Sequence, residues 1–346
     1  MSGGLIEIVS GGPGCTVQDT GRFGHRHGGL AQAGFLAPPL AEAANVLVGN
    51  PAGAACLEWR GLGLGLRVLC GPVQVAIIGQ TSVAVSRSEG PWRPMAAWHS
   101  ATLAAGERLQ LGAAVGGCAY LALGGGVQVP LVLGSRSTHV RTRLGGLEGR
   151  MLQLGDRLPC DRRPDSQTGE RMARVPYVLA DGPIRVLWGP QDDHFTVQAL
   201  GQFLATDWCV TPEQDRMGMR LAGPPLAHRS AAAADIVSDG VVPGAVQVPA
   251  NGQPIVLLAD GQTVGGYPKI ATVIRADLPR LALASPGSTL RFAAVDAATA
   301  RRALLAAQAD WTAWAAALVP CTPQGWLDEA ALYTENLVSG LVRAEP

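Results

Sequence analysis

Lysine is all but absent from this chain. Lys269 stands alone among 27 lysine and arginine residues. Arginine serves everywhere else, so the one lysine left is a candidate for work a guanidinium cannot do. It is a compact point charge on a flexible stem, and burial shifts its pKa readily. Other absences exclude whole classes of function. Charged residues are only 16% of the chain and balance at 27 basic against 27 acidic, which leaves no basic footprint for nucleic acid. No apolar run approaches the ~18 residues that span a bilayer. The N-terminal MSGGLIEIVSGG lacks a basic stretch leading into an apolar one, so a cytoplasmic chain is expected. The seven cysteines include no C-x-x-C pair and read as reduced, mostly buried thiols, with no metal site expected. A G-x-x-x-x-G-K-[ST] phosphate loop, H-E-x-x-H, G-x-S-x-G and a Met-Lys-Met biotin attachment tripeptide are all missing.

What is abundant is punctuation. The 45 glycines and 25 prolines are spread along the chain, which favours many short strands joined by turns over a helical bundle. With 47% hydrophobic residues in 35.7 kDa, two domains of ordinary size can each bury a core. Low charge with this apolar content also fits a chain that docks on a protein partner. Residues 3–9 alternate as a strand. Residues 37–51 (APPLAEAANVLVGNP) read as a helix that begins at prolines and stops at Gly49-Asn50-Pro51. From 56 to 159, runs such as RVLCG, VQVAIIG and CAYLALGGG recur at a spacing that suits a barrel or sandwich. Residues 160–174 read as a linker, after which strands resume at 184–188. Thr196 is expected to cap a short helix, VQALGQFLA. A helix is expected over 296–318 and a second one over 327–341.

Four polar clusters stand out. They are residues 17–22 (VQDTGR) with His25 and His27; residues 134–138 (GSRST) with Glu148 and Arg150; residues 189–194 (GPQDDH); and the lysine segment 251–274 with Gln253, Asp260, Gln262, Thr263 and Tyr267. Asp215-Arg216-Met217-Gly218 and Ser238-Asp239-Gly240 lie between the last two. Asp and Asn beside Gly and Pro also form turns and caps, and Asp192, Asp193 and His194 equally suit the start of a helix. The last two clusters together supply a carboxylate or imidazole to move a proton, amides to orient a planar ligand, and one cation for developing negative charge. The candidate catalytic residues are therefore Lys269, His194 and Asp193. The candidate substrate-binding residues are Gln191, Arg216, Gln253, Gln262, Thr263 and Tyr267.

The strings VQDTGR, AANVLVGNP, GSRST, GLEGR, GPQDDHF, DRMG, IVSDG, PGAVQVPANGQPIVLLADGQTVGGYPKIATVI and ENLVSG resemble the biotin-dependent carboxyltransferase family, from about residue 6 to 340. Within that family the chain most resembles the C subunit of 5-oxoprolinase. The family also includes allophanate hydrolase subunit 2, the carboxyltransferase part of urea amidolyase, and a regulator of sporulation kinase. The resemblance implies a mainly β chain of two cyclophilin-like β-barrel domains, over 1–165 and 175–295, with a helical C-terminal extension over 296–346. It implies one component of a complex, together with the B and A subunits of 5-oxoprolinase, that opens the lactam 5-oxoproline to L-glutamate. ATP is used by the complex, and no cofactor is bound by this chain. The alternatives are a carboxyltransferase acting on urea with carboxybiotin carried by another chain, and a non-catalytic regulator of a partner protein. Two departures bear on substrate. Family members commonly read S-G-A-M-D-P before the first helix and T-G-A-D near position 80; here Ala37 and Thr81 stand where the acids would be.

Lys269→Arg is expected to abolish most activity while leaving a folded protein, because the guanidinium is wider and carries its charge elsewhere. Steady-state kinetics at saturating substrate, beside a thermal melt, check this; full activity in the variant contradicts a special role for the lysine.

Overall fold

The computed structural model describes residues 3–87, 90–161 and 169–321. Residues 162–168 of the central linker, the expected helix over 327–341 and the ENLVSG motif lie outside the described residues. The fold is mainly β with few helices, and it is cyclophilin-like. No helix among the described residues is long and apolar enough to cross a membrane.

The first half stacks two sheets. One has six strands, in the order Arg157–Cys160, Gly4–Gly11, Leu64–Cys70, Arg108–Leu111, Val83–Ser86, Arg93–Pro94. The other has five, in the order Cys15–Gln18, Cys56–Gly61, Ala114–Leu123, Val73–Gln80, Ser100–Leu103. Side chains alternate across a strand, and the five-stranded sheet uses both of its faces. Leu57, Trp59, Val75, Ile77, Ala119 and Leu121 fill the space between the sheets with Ile6, Ile8 and Leu66. On the outer face, Cys56, Ala76, Ile78, Cys118, Tyr120 and Ala122 join a second core. These strands therefore read as continuous buried runs, as strands covered on both faces do.

Helix α1, Pro38–Leu47, lies on that outer face. Prolines occupy its first turn, where a missing N–H costs nothing. Its N-cap, Ala37, offers no side-chain oxygen. The neighbouring backbone donors are satisfied by the sheet below instead: Leu36 N donates to Glu58 Oε2 at 2.9 Å and Ala37 N to Tyr120 Oη at 2.8 Å. At the far end, buried Asn45 donates to the carbonyls of Ala52 and Ala54, and Asn50 donates to Asn45 Oδ1 and the Leu123 carbonyl. The AANVLVGNP segment is thereby a structural clamp.

The second half is one eight-stranded sheet, ordered Thr289–Leu290, Trp208–Gln214, Gly218–Ala222, Ile255–Leu257, Ala245–Gln247, Lys269–Val273, Ile184–Trp188, Phe292–Ala294. Its two edge strands are separated in the chain by Arg291 alone, so the sheet curls until its edges nearly meet and forms a nearly closed barrel. Helix α2, Val197–Ala205, starts as expected, with Thr196 Oγ1 accepting from Ala199 N at 3.1 Å. Its Phe203 stacks on Phe292, ring centroids 4.6 Å apart, beside buried Trp208. Burial of such rings contributes roughly 1.5–3 kcal/mol each. The short helix α3, Leu278–Leu281, leads into Ala282 and Leu283, which lie against Gly117 of the first half. Gly117 has φ +108°, and a Cβ there would collide with the Ala282 carbonyl, so both the conformation and the approach require glycine. Helix α4, Ala297–Ala316, is capped by Asp296, which accepts from Thr299 N at 2.7 Å. It is held at the surface, with none of its residues buried. Its Trp311 and Trp314 indoles donate to the carbonyls of Pro39 and Val175.

Every strand of the two large first-half sheets falls within 4–160, and every strand of the barrel sheet within 184–294. The apolar core nonetheless runs on from one half to the other: Phe35, Leu40 and Tyr120 belong to the same cluster as Phe195, Val246 and Ile270.

Candidate functional site

The first two polar motifs meet each other. Asp19 Oδ1 accepts from Ser135 Oγ at 2.6 Å, Ser137 Oγ at 2.5 Å and Gly21 N at 2.9 Å, and Oδ2 accepts from Arg136 N at 2.6 Å. Arg22, with no exposed surface, donates to the Val132 and Ser137 carbonyls. Burial lowers the Arg22 pKa, and Asp19 and Asp260 partly oppose this. Motifs VQDTGR and GSRST are a clasp between two loops of the first half. His25 precedes the 3-10 turn Arg26–Gly28 and His27 lies within it, and among the described residues no cluster of three or more His, Cys, Asp or Glu could hold a metal.

Lys269 opens a barrel strand and is 3% exposed. Its ammonium donates to Asp239 Oδ2 at 2.9 Å, and its backbone N–H donates to Gln191 Oε1 at 3.2 Å. Asp239 sits on a two-stranded ribbon, Asp239–Gly240 with Val264–Gly265. The hydrogen bond from Lys269 lowers the Asp239 pKa, helped by Gly240 N–H and the Lys269 charge. His194 ends a 3-10 turn, Asp192–His194, and its Nδ1 lies 2.9 Å from the Ala233 carbonyl. Asp193 is exposed at the middle of that turn. Gln191 and Lys269 therefore come together, while the His194 ring is held at Ala233.

The other candidates separate. Gln262 Nε2 donates to Gln247 Oε1 at 3.2 Å, Gln247 Nε2 donates to the Tyr267 carbonyl at 3.4 Å, and these three residues line a cleft of about 550 Å³. The Thr263 carbonyl accepts from Val241 N at 3.0 Å, beside the ribbon. Gln253 does not line this cleft: its amide closes on the Gly223 backbone, accepting from N at 3.1 Å and donating to O at 2.9 Å. A side chain with both ends bonded to one residue serves the loop.

Arg216 is also drawn elsewhere. It pairs bidentately with Asp260, Nε to Oδ2 at 3.0 Å and Nη2 to Oδ1 at 2.9 Å. Nη1 donates to Glu58 of the first half, and Nη2 to the Gly34 carbonyl at 2.6 Å. Glu58 is 1% exposed and also accepts from Tyr120 Oη at 2.7 Å. Burial alone disfavours the Arg216 charge, but Asp260 and Glu58 outweigh it and raise its pKa. Most of its donors are used by the protein, so Arg216 acts first as an ionic clamp between the halves.

That clamp forms part of the wall of a second cleft, about 770 Å³, between the halves. Its lining includes Glu58, Arg60, His139 and Arg141 from the first half and Gln214, Asp215, Arg216 and Asp260 from the second. Gln214, Asp215 and Met217 line both clefts, so the two meet along the hairpin that joins Trp208–Gln214 to Gly218–Ala222. Neither cleft is lined by Lys269, His194, Asp193 or Gln191. Sequence reading passed over Glu58, Arg60 and His139. The available signal was Glu58 and Arg60 at alternate positions of CLEWRG, two charges on one face of a strand whose Leu57 and Trp59 are core.

A family model described as carboxyltransferase domain, subdomain A and B, matches residues 28–294. The chain belongs to the carboxyltransferase-domain family. Among its relatives, the 5-oxoprolinase C subunit of Escherichia coli is 38% identical over 292 residues, covering 83% of this chain and 90% of that protein. The 5-oxoprolinase C subunit of Haemophilus influenzae is 34% identical, covering 86% and 94%. Urea amidolyase of Saccharomyces cerevisiae is 29% identical over 83% of this chain but only 16% of its own length. Of solved structures, the K. lactis urea amidolyase superposes with a TM-score of 0.80 at 25% identity, covering 91% of this chain and 20% of that one. TTHA0988 superposes at 0.72 with 33% identity, covering 84% and 56%. Within the family's pattern, this carboxyltransferase-domain chain has Thr81 where an acid is common, and Thr81 Oγ1 donates to the Gly112 carbonyl at 2.9 Å. Ala37 is fully buried, its N–H already satisfied by Tyr120.

The Asp239–Lys269 contact carries a pH signature. A carboxyl with a lowered folded pKa keeps its contact above the ordinary carboxylate range and loses it as pH falls through the lowered value. The Asp239 carboxyl is expected to titrate below the ordinary aspartate range in the native protein and to shift upward in Lys269→Gln. A carboxylate-resolved NMR titration checks this; identical midpoints contradict the pairing.

Proposed function

We propose that the chain is the C subunit of a 5-oxoprolinase complex, in which 5-oxoproline is opened to L-glutamate with ATP consumption. The observation that supports this reading is the 38% identity to the E. coli C subunit over 90% of that protein's length. The chemistry is compatible. Opening a planar lactam requires a polarised carbonyl and a proton acceptor, and polar groups from both halves converge on two joined clefts. In this reading, Gln262 and Tyr267 face the substrate in the smaller cleft, while Lys269, Asp193 and His194 stand outside both clefts and are not assigned the charge or the proton. Arg216 and Gln253 support the site without touching substrate. The sequence has no phosphate loop, so ATP is handled elsewhere in the complex, the B and A subunits of 5-oxoprolinase being the partners proposed.

Co-purification with neighbouring subunits, followed by an assay of glutamate released from 5-oxoproline, tests the proposal. ATP-dependent release by the complex, with none by this chain alone, is expected. Turnover by the chain alone overturns the subunit role. Carboxylation of urea with a biotin-carrying partner, without glutamate release, replaces the reading with the carboxyltransferase one. A stable complex with neither activity replaces it with a regulatory role.

A further inference from the structure

Two arginines of the larger cleft are without an acidic partner. The Arg60 guanidinium makes no hydrogen bond or ion pair with any described residue, and its Nη1 is buried with no acceptor. Arg141 donates only to the Met217 sulfur, at 3.2 Å. His139, 6% exposed, is fixed by a 2.7 Å contact between Nδ1 and Thr142 Oγ1, while its buried Nε2 has no partner. All three residues come from the first half and line the same cleft.

Guanidinium groups in proteins are usually met by carboxylates, phosphates or carbonyls, and a buried N–H left unpaired is destabilising. The acids of this cleft do not meet that need. Glu58 and Asp260 both bond to Arg216, and Asp215 accepts from the backbone N–H groups of Met217 and Gly218 in its own turn. Arg60 follows Glu58 by two residues on the same strand face, so it also offsets at longer range the surplus negative charge of one arginine with two carboxylates. That role needs no contact and leaves the fork without an acceptor.

We propose that Arg60 and Arg141, with His139 beside them, form a carboxylate-binding subsite for a small amide or lactam acid in the cleft between the halves. The carboxylate oxygens accept from the two arginines, and the ligand's amide is directed toward the hairpin shared with the smaller cleft, where Gln214 Oε1 is buried without a donor. Taking that acid to be 5-oxoproline rests on the proposed function; the subsite itself rests on the cleft.

Isothermal titration of the co-purified complex with 5-oxoproline and with 2-pyrrolidinone, the same lactam without the carboxylate, tests this. Charge-assisted hydrogen bonds contribute roughly 1.5–3 kcal/mol, about 10- to 150-fold in affinity. The native complex is expected to prefer 5-oxoproline by at least about 10-fold, and Arg60→Gln and Arg141→Gln each to remove most of that preference. Equal binding of the two lactams overturns the subsite, as does an unchanged preference in both variants. A lower melting temperature in Arg60→Gln with the preference intact assigns Arg60 to charge balance alone and overturns its role as a ligand contact. Arg60→Lys, which keeps the charge, is expected to melt like the native protein yet bind 5-oxoproline more weakly; native affinity in it counts against a guanidinium-specific contact. The two proposals fail separately. An arginine-dependent preference without glutamate release retains the subsite and removes the 5-oxoprolinase reading. Glutamate release with native KM in both glutamine variants does the reverse.

Discussion

The arrangement of the two halves turns on Arg216. Its guanidinium is shared between Asp260 of its own barrel and Glu58 of the other half, and Gly34 accepts a further bond. The desolvation of such charges offsets much of their attraction, so the triad is not the main source of stability. The continuous core around Phe35, Tyr120, Phe195 and Ile270 carries that weight. The triad instead selects one alignment. Sliding the halves leaves two carboxylates and an arginine buried without partners, an outcome costing about 3–5 kcal/mol when one partner of a buried pair is removed.

That alignment creates the clefts. Glu58 belongs to a strand whose next outward residue is Arg60, and Arg216 belongs to the hairpin that separates the two cavities. Fixing Glu58 to Arg216 brings Arg60, His139 and Arg141 opposite Gln214 and Met217. Further bonds hold the same interface: Ala33 N donates to the Ala259 carbonyl at 3.1 Å, and Arg26 donates to the Val241 and Gln262 carbonyls, next to the ribbon over Lys269. Residues 19–36 thus tie the clasp of the first half to the loops of the second.

Features set by neighbouring residues were legible in the sequence. Thr196 and Asp296 were readable as helix starts because a cap reaches only three residues ahead. The prolines of α1 and the strand at 184–188 were readable for the same local reason. Residue patterns reached a barrel or sandwich; the cyclophilin-like form came from the family resemblance, since closure depends on pairings such as Ile184–Trp188 with Phe292–Ala294 across the length of the half. The pairing of Arg216 with Glu58 was not legible, because the two lie 158 residues apart. The contact of Gln253 with Gly223, 30 residues back, was out of reach for the same reason. Lys269 was singled out by composition alone, and its pairing with Asp239 depends on a ribbon of two residues per strand that no periodicity announces. Arg60 and His139 were missed because their significance lies in partners they lack, which only folded coordinates reveal.

The claim that the clamp fixes the two halves is tested most directly by a double-mutant cycle on Glu58→Gln and Arg216→Met, followed by chemical denaturation. Arg216→Met alone is expected to cost about 3–5 kcal/mol, and the pair to be coupled by about 1–3 kcal/mol. Single-variant losses that add to within about 0.3–0.5 kcal/mol, or an Arg216→Met protein as stable as the native one, would contradict it.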